Sequence, residues 1–389
     1  MVILFWISLF IIFYTYAGYG LLLYLLVKIK QGLRRKQPLF YAEAELPDAT
    51  LVIAAFNEEG IIRQKIENTL ALHYPKEKIR FLIVTDGSSD RTPEIVQQYP
   101  GITLLHSLER KGKINAVHRA MHSVTSATVI FTDANTFLNK EALVRIVRHY
   151  KDPSVGAVAG EKRVHIEEEA DATAGEGFYW RYESRLKQWD SDLFSVVGAA
   201  GELFSLRTAL YEAVEPDTIL DDFMLSMNVV LKGYRIVYEP EAYAVESSSA
   251  SVPEELKRKV RIAAGGIQSV SRLPQLFNFL RFPVLSFQYI SHRVLRWTIT
   301  PFLLILAFLL NILLVVNGAT AFYLVLLIGQ CFFYAAALAG WLLERREIKI
   351  KMLFIPYYFC MMNYAILAGI RRYVAGKQQV TWDKAKRKS

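Results

Sequence analysis

Three short polar clusters follow apolar runs in the first half of the chain, and each contains at least one acid. The clusters are Phe56-Asn57-Glu58-Glu59, Asp86-Gly87-Ser88-Ser89-Asp90 and Asp133-Ala134-Asn135. A charged group at the end of a buried strand is costly unless a partner compensates its charge. Singly, Asn57 or Asp90 would serve equally well as the cap of a following helix. Three clusters in one domain instead favour a shared ligand site.

The cluster Asp133-Ala134-Asn135 has half of the pattern that is typical of a divalent-metal site. Two acids one residue apart would supply two carboxylates, but the second position here is Asn135. An amide oxygen can also ligate a hard cation. From these residues alone, the stretch is a metal site, half of one, or a turn that begins with Asp133.

The elements that carry these clusters alternate between buried strands and amphipathic helices. Strands are predicted at 51–55, 81–85, 102–105, 128–132 and 155–159, and helices at 58–72, 93–99, 113–124 and 140–150. Such alternation produces right-handed βαβ units and a parallel sheet that helices cover on both faces. Ligands of these sheets lie beyond the carboxyl ends of the strands. The three clusters should therefore meet at one edge, with Asp133 beside Asp86.

The segment after residue 160 is less regular and rich in aromatic residues. We predict a helix at 175–190, a strand at 195–199, a helix from Asp221 or Asp222 to Leu231 that ends at Gly233, and a strand from Arg235. Asp221 or Asp222 would cap the second of these helices. The basic amphipathic stretch 252–273 is typical of a helix in the membrane interface.

The composition is that of a membrane protein with one large water-facing domain. Of 389 residues, 53% are hydrophobic and 21% are charged. Residues 1–27 carry no charge and are long enough to cross a bilayer, and they lack the basic start and cleavage site of a signal peptide. The basic residues that follow predict a plasma (inner) membrane protein whose large domain is cytoplasmic. The net charge of +9 is assigned to basic residues along the membrane surface, rather than to nucleic-acid binding.

Further spans are predicted at 298–316 and 320–343, joined by a tight turn at Asn317-Gly318. A fourth apolar stretch, 352–370, is also long enough to cross, but Lys and Arg are abundant on both of its flanks. Because positive residues favour the cytoplasmic side, three full spans with a re-entrant or interfacial 352–370 are favoured over a fourth crossing.

Six motifs resemble the processive, membrane-embedded family 2 glycosyltransferases, the group of cellulose, chitin, hyaluronan and poly-N-acetylglucosamine synthases. They are AAFNEE, VTDGSSD, KGKINA, FTDAN, TILDDF and KGYRIVYEPEA. Their order and spacing carry the resemblance, which runs from the first span to VTWDKAKR near the end of the chain. It implies an α/β cytoplasmic domain of the GT-A fold, with a Rossmann-like mixed, mainly parallel sheet, joined to transmembrane helices. It also implies a UDP-sugar donor, UDP-GlcNAc or UDP-glucose, and Mg²⁺ or Mn²⁺ as cofactor.

The resemblance assigns roles to the residues at matching positions. Nucleotide-sugar binding falls to Ala55, Asn57, Glu58, Asp86, Lys113 and Asp133, the metal to Asp133 and Asn135, and acceptor binding to Gly198, Gly201, Asp221, Arg258 and Arg261. Asp222 matches the catalytic base, which takes a proton from the attacking hydroxyl. A single in-line attack would invert the anomeric carbon, so an α-linked donor gives a β-glycoside. With one carboxylate instead of two, the metal should bind weakly until the diphosphate adds its oxygens.

Two motifs depart from the family pattern. Thr85 stands where many relatives have an additional acid. The family's QxxRW motif is represented by residues 258–262, in which Arg261 is retained but the Gln and the Trp are not. Because the Trp normally stacks on the acceptor sugar, acceptor handling is less determined than donor chemistry. Arg258 and Lys259 also suit an interfacial helix whose basic side chains reach toward lipid headgroups.

Together these inferences divide the chain into segments and give a leading hypothesis. The segments are a transmembrane helix with a basic flank (1–36), the GT-A domain (48–250), interfacial helices (251–296), transmembrane or re-entrant helices (297–374) and a basic tail (375–389). The leading hypothesis is an inverting β-glycosyltransferase that extends a polysaccharide and exports it across the membrane. Its expected partners are the UDP-sugar, a growing glycan or lipid-linked acceptor, and membrane lipids, with partner subunits left open.

Two alternatives to this hypothesis remain at the level of sequence. A non-processive enzyme that glycosylates a lipid-linked acceptor would add one sugar, so product length distinguishes it from a polysaccharide synthase. An inactive nucleotide-sugar-binding subunit of an export complex belongs to another functional class. The presence of Asp86, Asp133 and Asp222 argues against that class.

Overall fold

The chain folds into two compact units, a helical unit and a sheet unit. The computed structural model describes residues 1–33, 40–165, 173–247, 251–346, 348 and 350–376, with side chains except at 165 and 173–180. The helical unit comprises Met1–Ile29, Ile166–Leu186 and Ser251–Gln378, and the sheet unit comprises Lys30–His165, Lys187–Ala250 and Gln379–Ser389. The predicted basic residues 34–36 and the tail from residue 377 lie outside the described residues.

Helices occur in both units. They are α1 (Val2–Phe13), α2 (Tyr19–Leu33), α3 (Ile62–Leu70), α4 (Thr92–Gln97), α5 (Lys113–Met121), α6 (Ala142–Val147), α7 (Thr173–Leu193), α8 (Asp221–Leu231), α9 (Val252–Arg272), α10 (Pro283–Tyr289), α11 (Leu295–Trp297), α12 (Thr300–Val316), α13 (Ala321–Glu344) and α14 (Lys351–Val374). Short π-helical segments, Tyr14–Gly18 and Ile290–Val294, continue α1 into α2 and α10 into α11.

A single mixed sheet forms the centre of the sheet unit. Its strands are β1 (Ala49–Ala55), β2 (Ile79–Asp86), β3 (Thr103–Ser107), β4 (Thr128–Asp133), β5 (Thr136–Leu138), β6 (Val155–His165), β7 (Leu203–Arg207) and β8 (Arg235–Ser247). Within the described residues, these eight strands lie in the order β3-β2-β1-β4-β7-β6-β8-β5. The pairs β3–β2, β2–β1, β1–β4 and β6–β8 are parallel. Strand β7 is antiparallel to its neighbours β4 and β6, and β5 is antiparallel to β8. The predicted mixed, mainly parallel sheet is confirmed.

The sheet forms here because its central strands are apolar on both faces. Leu51, Ile53, Ile83 and Ile130 on β1, β2 and β4 are completely buried in one continuous cluster. The apolar side of α3, including Ile62, belongs to the same cluster. A strand that is buried on both faces reads as an unbroken apolar run. This property explains why the strands predicted at 51–55, 81–85 and 128–132 form.

The strand predicted at 195–199 is wrong, and the strand that pairs with β4 is β7 instead. Residues 195–199 are described, and they form a buried loop whose Val196 N–H donates to the Ile236 carbonyl. Gly198 has φ of +83°, which an extended strand cannot accommodate. The chain therefore leaves the extended conformation before a ladder forms, and it resumes as β7 four residues after Ala199.

The expected position of Asp133 beside Asp86 is also wrong. Strand β1 lies between β2 and β4, so the two acids end strands that are not neighbours. Asp133 is in register with Ala54 of β1. Both acids nevertheless lie at the carboxyl ends of parallel strands, where ligands of such sheets bind.

Among the described residues, three helical stretches are long and apolar enough to cross a membrane. They are Val2–Leu33, Ala321–Glu344 and Lys351–Val374. The span predicted at 298–316 belongs to a pair, Pro283–Trp297 with Thr300–Val316, that bends by 59°. The stretch 352–370, predicted to be re-entrant or interfacial, lies within the continuous 24-residue helix Lys351–Val374, so the re-entrant alternative is wrong. The choice between an interfacial helix and a full crossing stays a prediction. The break occurs just before Pro301, which lies in the first turn of α12. Because proline has no backbone N–H, Pro301 cannot continue the hydrogen-bond ladder of the preceding helix.

Helix α9 packs closely along α14. A Cβ added at Gly369 of α14 would lie 2.6 Å from Ala263 Cβ, so the two helices touch at small residues. The Lys259 side chain is only 8% exposed and lies 3.3 Å from the Glu255 carboxylate. The prediction that Lys259 reaches toward lipid headgroups is therefore wrong, since its charge is compensated within the helix.

Gly198 gives a test of how α8 is positioned. A Cβ at Gly198 would overlap the ring of Phe223 on α8. Gly198→Ala should destabilise the protein by about 1–3 kcal/mol from overpacking and by about 1–2 kcal/mol from the left-handed backbone. Thermal unfolding in detergent measures the loss.

Gly233→Ala is the matched control for this change. Gly233 has φ of +90°, but a Cβ there meets nothing within 4 Å. The control should therefore show only the backbone cost. If both variants unfolded at the same temperature, the contact between Gly198 and Phe223 would contribute nothing to the placement of α8.

Candidate active site

One lysine and three acids come together at the ends of β4, α5 and α8. Asp133 is the last residue of β4, Lys113 is the first of α5, and Asp221 and Asp222 open α8. The Lys113 ammonium donates a 2.7 Å hydrogen bond to Asp133 Oδ1 and lies 3.8 Å from Asp221 Oδ2. The Lys113, Asp133 and Asp221 side chains are 22%, 28% and 15% exposed, so water screens this pairing only partly.

Gly201 borders both the ammonium and the adjacent acid. A Cβ at Gly201 would lie 3.2 Å from Asp222 Oδ2 and 3.3 Å from Lys113 Nζ. Any side chain at this position would therefore occupy the space between the two groups. The loop that carries Gly201 leads directly into β7, which pairs with β4 and so holds the loop beside Asp133.

The proton affinities of Asp222 and Lys113 are both raised, but for different reasons. Burial raises the pKa of Asp222 to about 7, the negative charge of Asp221 adds to the increase, and Lys113 opposes it. Burial alone would lower the pKa of Lys113, but Asp133, Asp221 and Asp222 together raise it above its usual range. At neutral pH the site therefore has a permanently charged ammonium next to a carboxyl group that can gain or lose a proton.

Neither acid of α8 acts as the predicted helix cap. The N-cap residue is Leu220, and no side chain accepts a capping hydrogen bond there. Asp222 Oδ1 instead accepts a 2.8 Å hydrogen bond from the N–H of the next residue, Phe223. Both acids thus lie in the first turn, where the helix dipole favours negative charge.

Asp86 fixes the loop from which Lys113 extends. Its carboxylate accepts hydrogen bonds from the backbone N–H groups of Lys111, at 3.1 Å, and Gly112, at 2.6 Å. Gly112 has φ of +94° and is the N-cap residue of α5. Because α5 begins with Lys113, these bonds determine where the ammonium enters the site. The predicted contact of Asp86 with a nucleoside stays a prediction.

The loops after β1 and β2 hold each other in place. The Asn57 side chain accepts a 2.8 Å hydrogen bond from the Ser89 N–H, and Asn57 itself has φ of +53°. The Glu58 N–H donates to Thr92 Oγ1 at 2.8 Å. The Arg110 guanidinium stacks 3.9 Å from the Phe56 ring centre, which ties the loop before Lys113 to the same assembly.

The departure at Thr85 has a structural explanation. Thr85 is completely buried, and its hydroxyl lies 2.7 Å from Nδ1 of His106 on β3. Its carbonyl accepts a 2.6 Å hydrogen bond from Arg119 of α5. Since adjacent side chains of a strand point to opposite faces, Thr85 does not share the environment of Asp86.

The remaining predicted residues are placed as follows. Ala55 is the buried last residue of β1, in register with Thr85. Asn135 is half-buried in the turn between β4 and β5. Arg258 and Arg261 lie on α9 of the helical unit, and Arg258 is 3.5 Å from the Glu255 carboxylate. Their roles in binding, like those of the other predicted site residues, stay predictions.

Two buried lysines, Lys162 and Lys65, and the residues around them were not predicted from the sequence. Lys162, with a 3% exposed side chain, forms ion pairs with Glu202 and Glu246. Lys65 is completely buried on α3. Its position was readable in principle, because residues 62, 65, 66 and 69 share the apolar face of the helix. A charge within such a stripe signals a buried polar contact.

The residues of this site can supply only part of a metal's coordination shell. Within the described ranges, no group of three or more His, Cys, Asp or Glu residues could hold a metal ion. Asp133 offers a carboxylate and Asn135 an amide oxygen at the same turn, both partly exposed. These are hard oxygen ligands of the type that Mg²⁺ and Mn²⁺ accept. The residues therefore fit a divalent ion whose other ligands come from a bound phosphate and water.

Comparison with known proteins finds relatives that match the region of the sheet unit. Residues 50–214 match the model of glycosyl transferase family 2. Poly-beta-1,6-N-acetyl-D-glucosamine synthase of Staphylococcus aureus (strain MSSA476) is 30% identical over 240 residues, 59% of this chain and 57% of that protein. Probable glycosyltransferase YdaM of Bacillus subtilis (strain 168) is 27% identical over 254 residues, 61% of this chain and 60% of that protein. The chain thus spans about three fifths of the length of these curated relatives.

A solved structure extends the similarity over nearly the whole chain. The mannosyltransferase PcManGT from Pyrobaculum calidifontis, in complex with GDP-Man and Mn²⁺, superimposes with a TM-score of 0.72 over 96% of this chain and 100% of that chain. Its sequence identity is 21%, so the likeness establishes a shared fold. The sheet unit accordingly has a GT-A-like fold.

The raised pKa of Asp222 predicts how protein stability depends on pH. An Asp of the unfolded chain loses its proton near pH 4, whereas Asp222 of the folded protein keeps it up to about pH 7. The unfolded state therefore releases its proton first, and the stability of the parent protein falls as the pH rises between these values. Asp222→Asn, which stays uncharged, should unfold at a higher temperature than the parent at about pH 8.

The difference in melting temperature between the parent protein and Asp222→Asn should shrink as the pH is lowered to about 5, since Asp222 then becomes protonated in the folded state. Melting temperatures of both proteins across this range provide the measurement, and other acids cancel in the comparison. A difference that stayed constant from pH 5 to pH 8 would contradict the raised pKa.

Proposed function

We infer that the chain, whose residues 50–214 form a glycosyl transferase family 2 domain, is a membrane-bound inverting β-glycosyltransferase. It transfers a sugar from a UDP-sugar to the hydroxyl group of a growing glycan. One observation carries this proposal: the Lys113 ammonium lies between Asp133 of β4 and Asp221 of α8, next to Asp222. This arrangement has a cation for a departing diphosphate and a carboxylate for an incoming hydroxyl.

The donor side of the reaction belongs to Lys113, Asp133 and Asn135. When the bond between the anomeric carbon and the diphosphate breaks, negative charge grows on the departing UDP. The Lys113 ammonium, which donates a hydrogen bond to Asp133, would neutralise that charge. Asp133 and Asn135 would hold Mg²⁺ or Mn²⁺, which supplies further charge neutralisation as a Lewis acid when bound.

The acceptor side belongs to Asp222. The carboxylate takes the proton of the acceptor hydroxyl while the hydroxyl oxygen bonds to the anomeric carbon and UDP leaves from the opposite face. A pKa of about 7 suits this role, because a base is most effective near the working pH. Attack and departure on opposite faces invert the configuration, so an α-linked donor yields a β-glycoside.

The choice of donor and acceptor rests on the relatives. UDP-GlcNAc is the first donor to consider, since the Staphylococcus aureus relative is named a poly-beta-1,6-N-acetyl-D-glucosamine synthase. UDP-glucose is the second. The apolar helices of the helical unit support a membrane location, with the sheet unit on the cytoplasmic side where nucleotide sugars are made. Extension and export of a polysaccharide is the corresponding role.

The proposal is tested by measuring UDP release from the purified full chain. The panel comprises UDP-GlcNAc, UDP-glucose and GDP-mannose, each with Mn²⁺, with Mg²⁺ or with a chelator. We expect release from a UDP-sugar in the presence of a metal. Asp222→Asn should reduce that rate by about 10²–10⁴-fold, because it removes the base while keeping its shape.

Glu94→Gln is the control for Asp222→Asn. It also neutralises a carboxylate in the first turn of a helix, but Glu94 is exposed on α4. The control should release UDP at the parental rate. Parental activity in Asp222→Asn would remove Asp222 from the role of base, and no release from any donor would refute the proposed reaction.

A separate prediction follows from the presence of only one carboxylate, that of Asp133, at the proposed metal position. Without nucleotide, Mn²⁺ should bind only weakly, and UDP should tighten its binding at least about tenfold, because the diphosphate supplies the missing oxygen ligands. Asn135→Asp adds a second carboxylate and should tighten nucleotide-free binding. Calorimetric titration of Mn²⁺ with and without UDP measures both effects. Tight Mn²⁺ binding by the parent protein alone would contradict this account of Asp133-Ala134-Asn135.

A further inference from the structure

Lys65 is a buried cation directly beneath the turn that contains Asp133. It lies on α3 with no solvent exposure, although lysine is rarely fully buried in proteins. Its ammonium donates a 2.6 Å hydrogen bond to the Thr136 carbonyl and lies 3.4 Å from Thr132 Oγ1. Burial lowers the pKa of Lys65 to about 7, and the negative charge of Asp133 opposes that decrease.

The partners of Lys65 connect it to both sides of the proposed active site. Thr132 and Thr136 flank the Asp133–Asn135 turn, and their hydroxyls are 3.0 Å apart. The Thr136 hydroxyl donates to the Asp133 carbonyl at 3.0 Å. The Thr132 hydroxyl donates to the Glu202 carbonyl at 2.7 Å, next to Gly201. One buried ammonium thus anchors the turn from inside the protein.

A side chain that served only to fill this space would not need a charge. Methionine is of similar length, has no polar atom to desolvate, and would suit the apolar face that Lys65 shares with Ile62 and Ile66. A buried ammonium is costly unless its partners compensate it. Here the compensation comes from the oxygen atoms of one turn and from Asp133, the acid of that turn.

Asp133 therefore has the amino group of a lysine on each of two sides. Lys113 contacts Oδ1 from the open side of the site, and Lys65 lies behind the turn. A bound diphosphate would compete with Asp133 for Lys113. Lys65 cannot be drawn away in the same manner, because it is enclosed by the core.

We propose that Lys65 is a positioning residue for the metal-dependent part of donor binding, because it anchors the Asp133–Asn135 turn from inside the sheet unit. This inference rests on the proposed function, since it presupposes that Asp133 and Asn135 receive a metal-bound nucleotide. It differs from a general structural role in one respect. The contribution of Lys65 should be expressed only when the metal is present.

The test compares UDP binding by the parent protein and by Lys65→Met, with Mn²⁺ and with a chelator, in calorimetric titrations of the full chain. With Mn²⁺, the variant should bind UDP about tenfold or more weakly, as for other residues that support metal ligands. With the chelator, the two proteins should bind UDP equally. In the UDP-release assay, the Mn²⁺ concentration for half-maximal rate should rise by the same factor, while kcat at saturating Mn²⁺ changes little.

Lys140→Met is the matched control. It makes the same chemical change at an exposed lysine two residues after β5, and it should match the parent protein under every condition. An equal loss of UDP affinity with and without Mn²⁺ would overturn the inference, as would no loss at all. If the parent protein itself bound no UDP, the proposed function would fail. If the parent bound UDP and Lys65→Met bound it equally well, the proposed function would stand but the role of Lys65 would not.

Thr132→Val decides the question if Lys65→Met does not fold. It removes the hydroxyl that lies between Lys65 and the Glu202 carbonyl, while it leaves the charge of Lys65 in place. The variant should show a smaller loss of UDP affinity that is again confined to the titrations with Mn²⁺. A loss that did not depend on Mn²⁺, or the absence of any loss, would overturn the inference.

Discussion

The arrangement of the sheet unit depends on one ammonium group that is shared by three carboxylates. Lys113 is within hydrogen-bonding distance of Asp133, 3.8 Å from Asp221, and close enough to Asp222 to influence its proton affinity. These acids come from two elements that are nearly ninety residues apart, so the pairing exists only in the folded chain. Removing the ammonium would leave three partly buried carboxylates to repel one another. This repulsion would be strong because the side chains are screened only partly by water.

Much of the surrounding structure serves to keep that ammonium in place. Asp86 binds the backbone at Gly112, and the positive φ of Gly112 allows α5 to begin with Lys113 pointing into the site. On the opposite side, Gly201 leaves room between Lys113 and Asp222. Antiparallel β7 is the element that brings Gly201 there, because it pairs with the strand that ends at Asp133. A purely parallel sheet would have lacked this connection.

The sequence predicted the parallel half of the sheet and the acids at its edge, because unbroken apolar runs and the polar residues after them are local signals. It failed for β7, since the preceding segment 195–199 looked equally extended, although the positive φ of Gly198 is incompatible with a strand there. The order of the strands, which separates Asp133 from Asp86 by β1, is a property of long-range pairing that no local pattern contains. The burial of Lys65 was missed for a related reason. A lysine on an amphipathic helix is ordinarily solvated, and its burial depends on oxygen atoms supplied by a distant turn.

The balance of charge at this edge also bears on why a metal and a nucleotide should bind together. Asp133, Asp221 and Asp222 face the Lys113 ammonium from the open side, and Lys65 contacts the Thr136 carbonyl and the Thr132 hydroxyl behind the turn. Even with Asp222 protonated, the carboxylates are not outnumbered by cations, so a diphosphate that arrived alone would meet little net attraction. Under the proposed function, a divalent cation that accompanied the diphosphate would reverse this balance and would be held by the oxygen atoms of Asp133 and Asn135. The same balance explains why the proton affinity of Asp222 is raised: with Lys113 shared among three acids, the acid of lowest solvation keeps its proton longest.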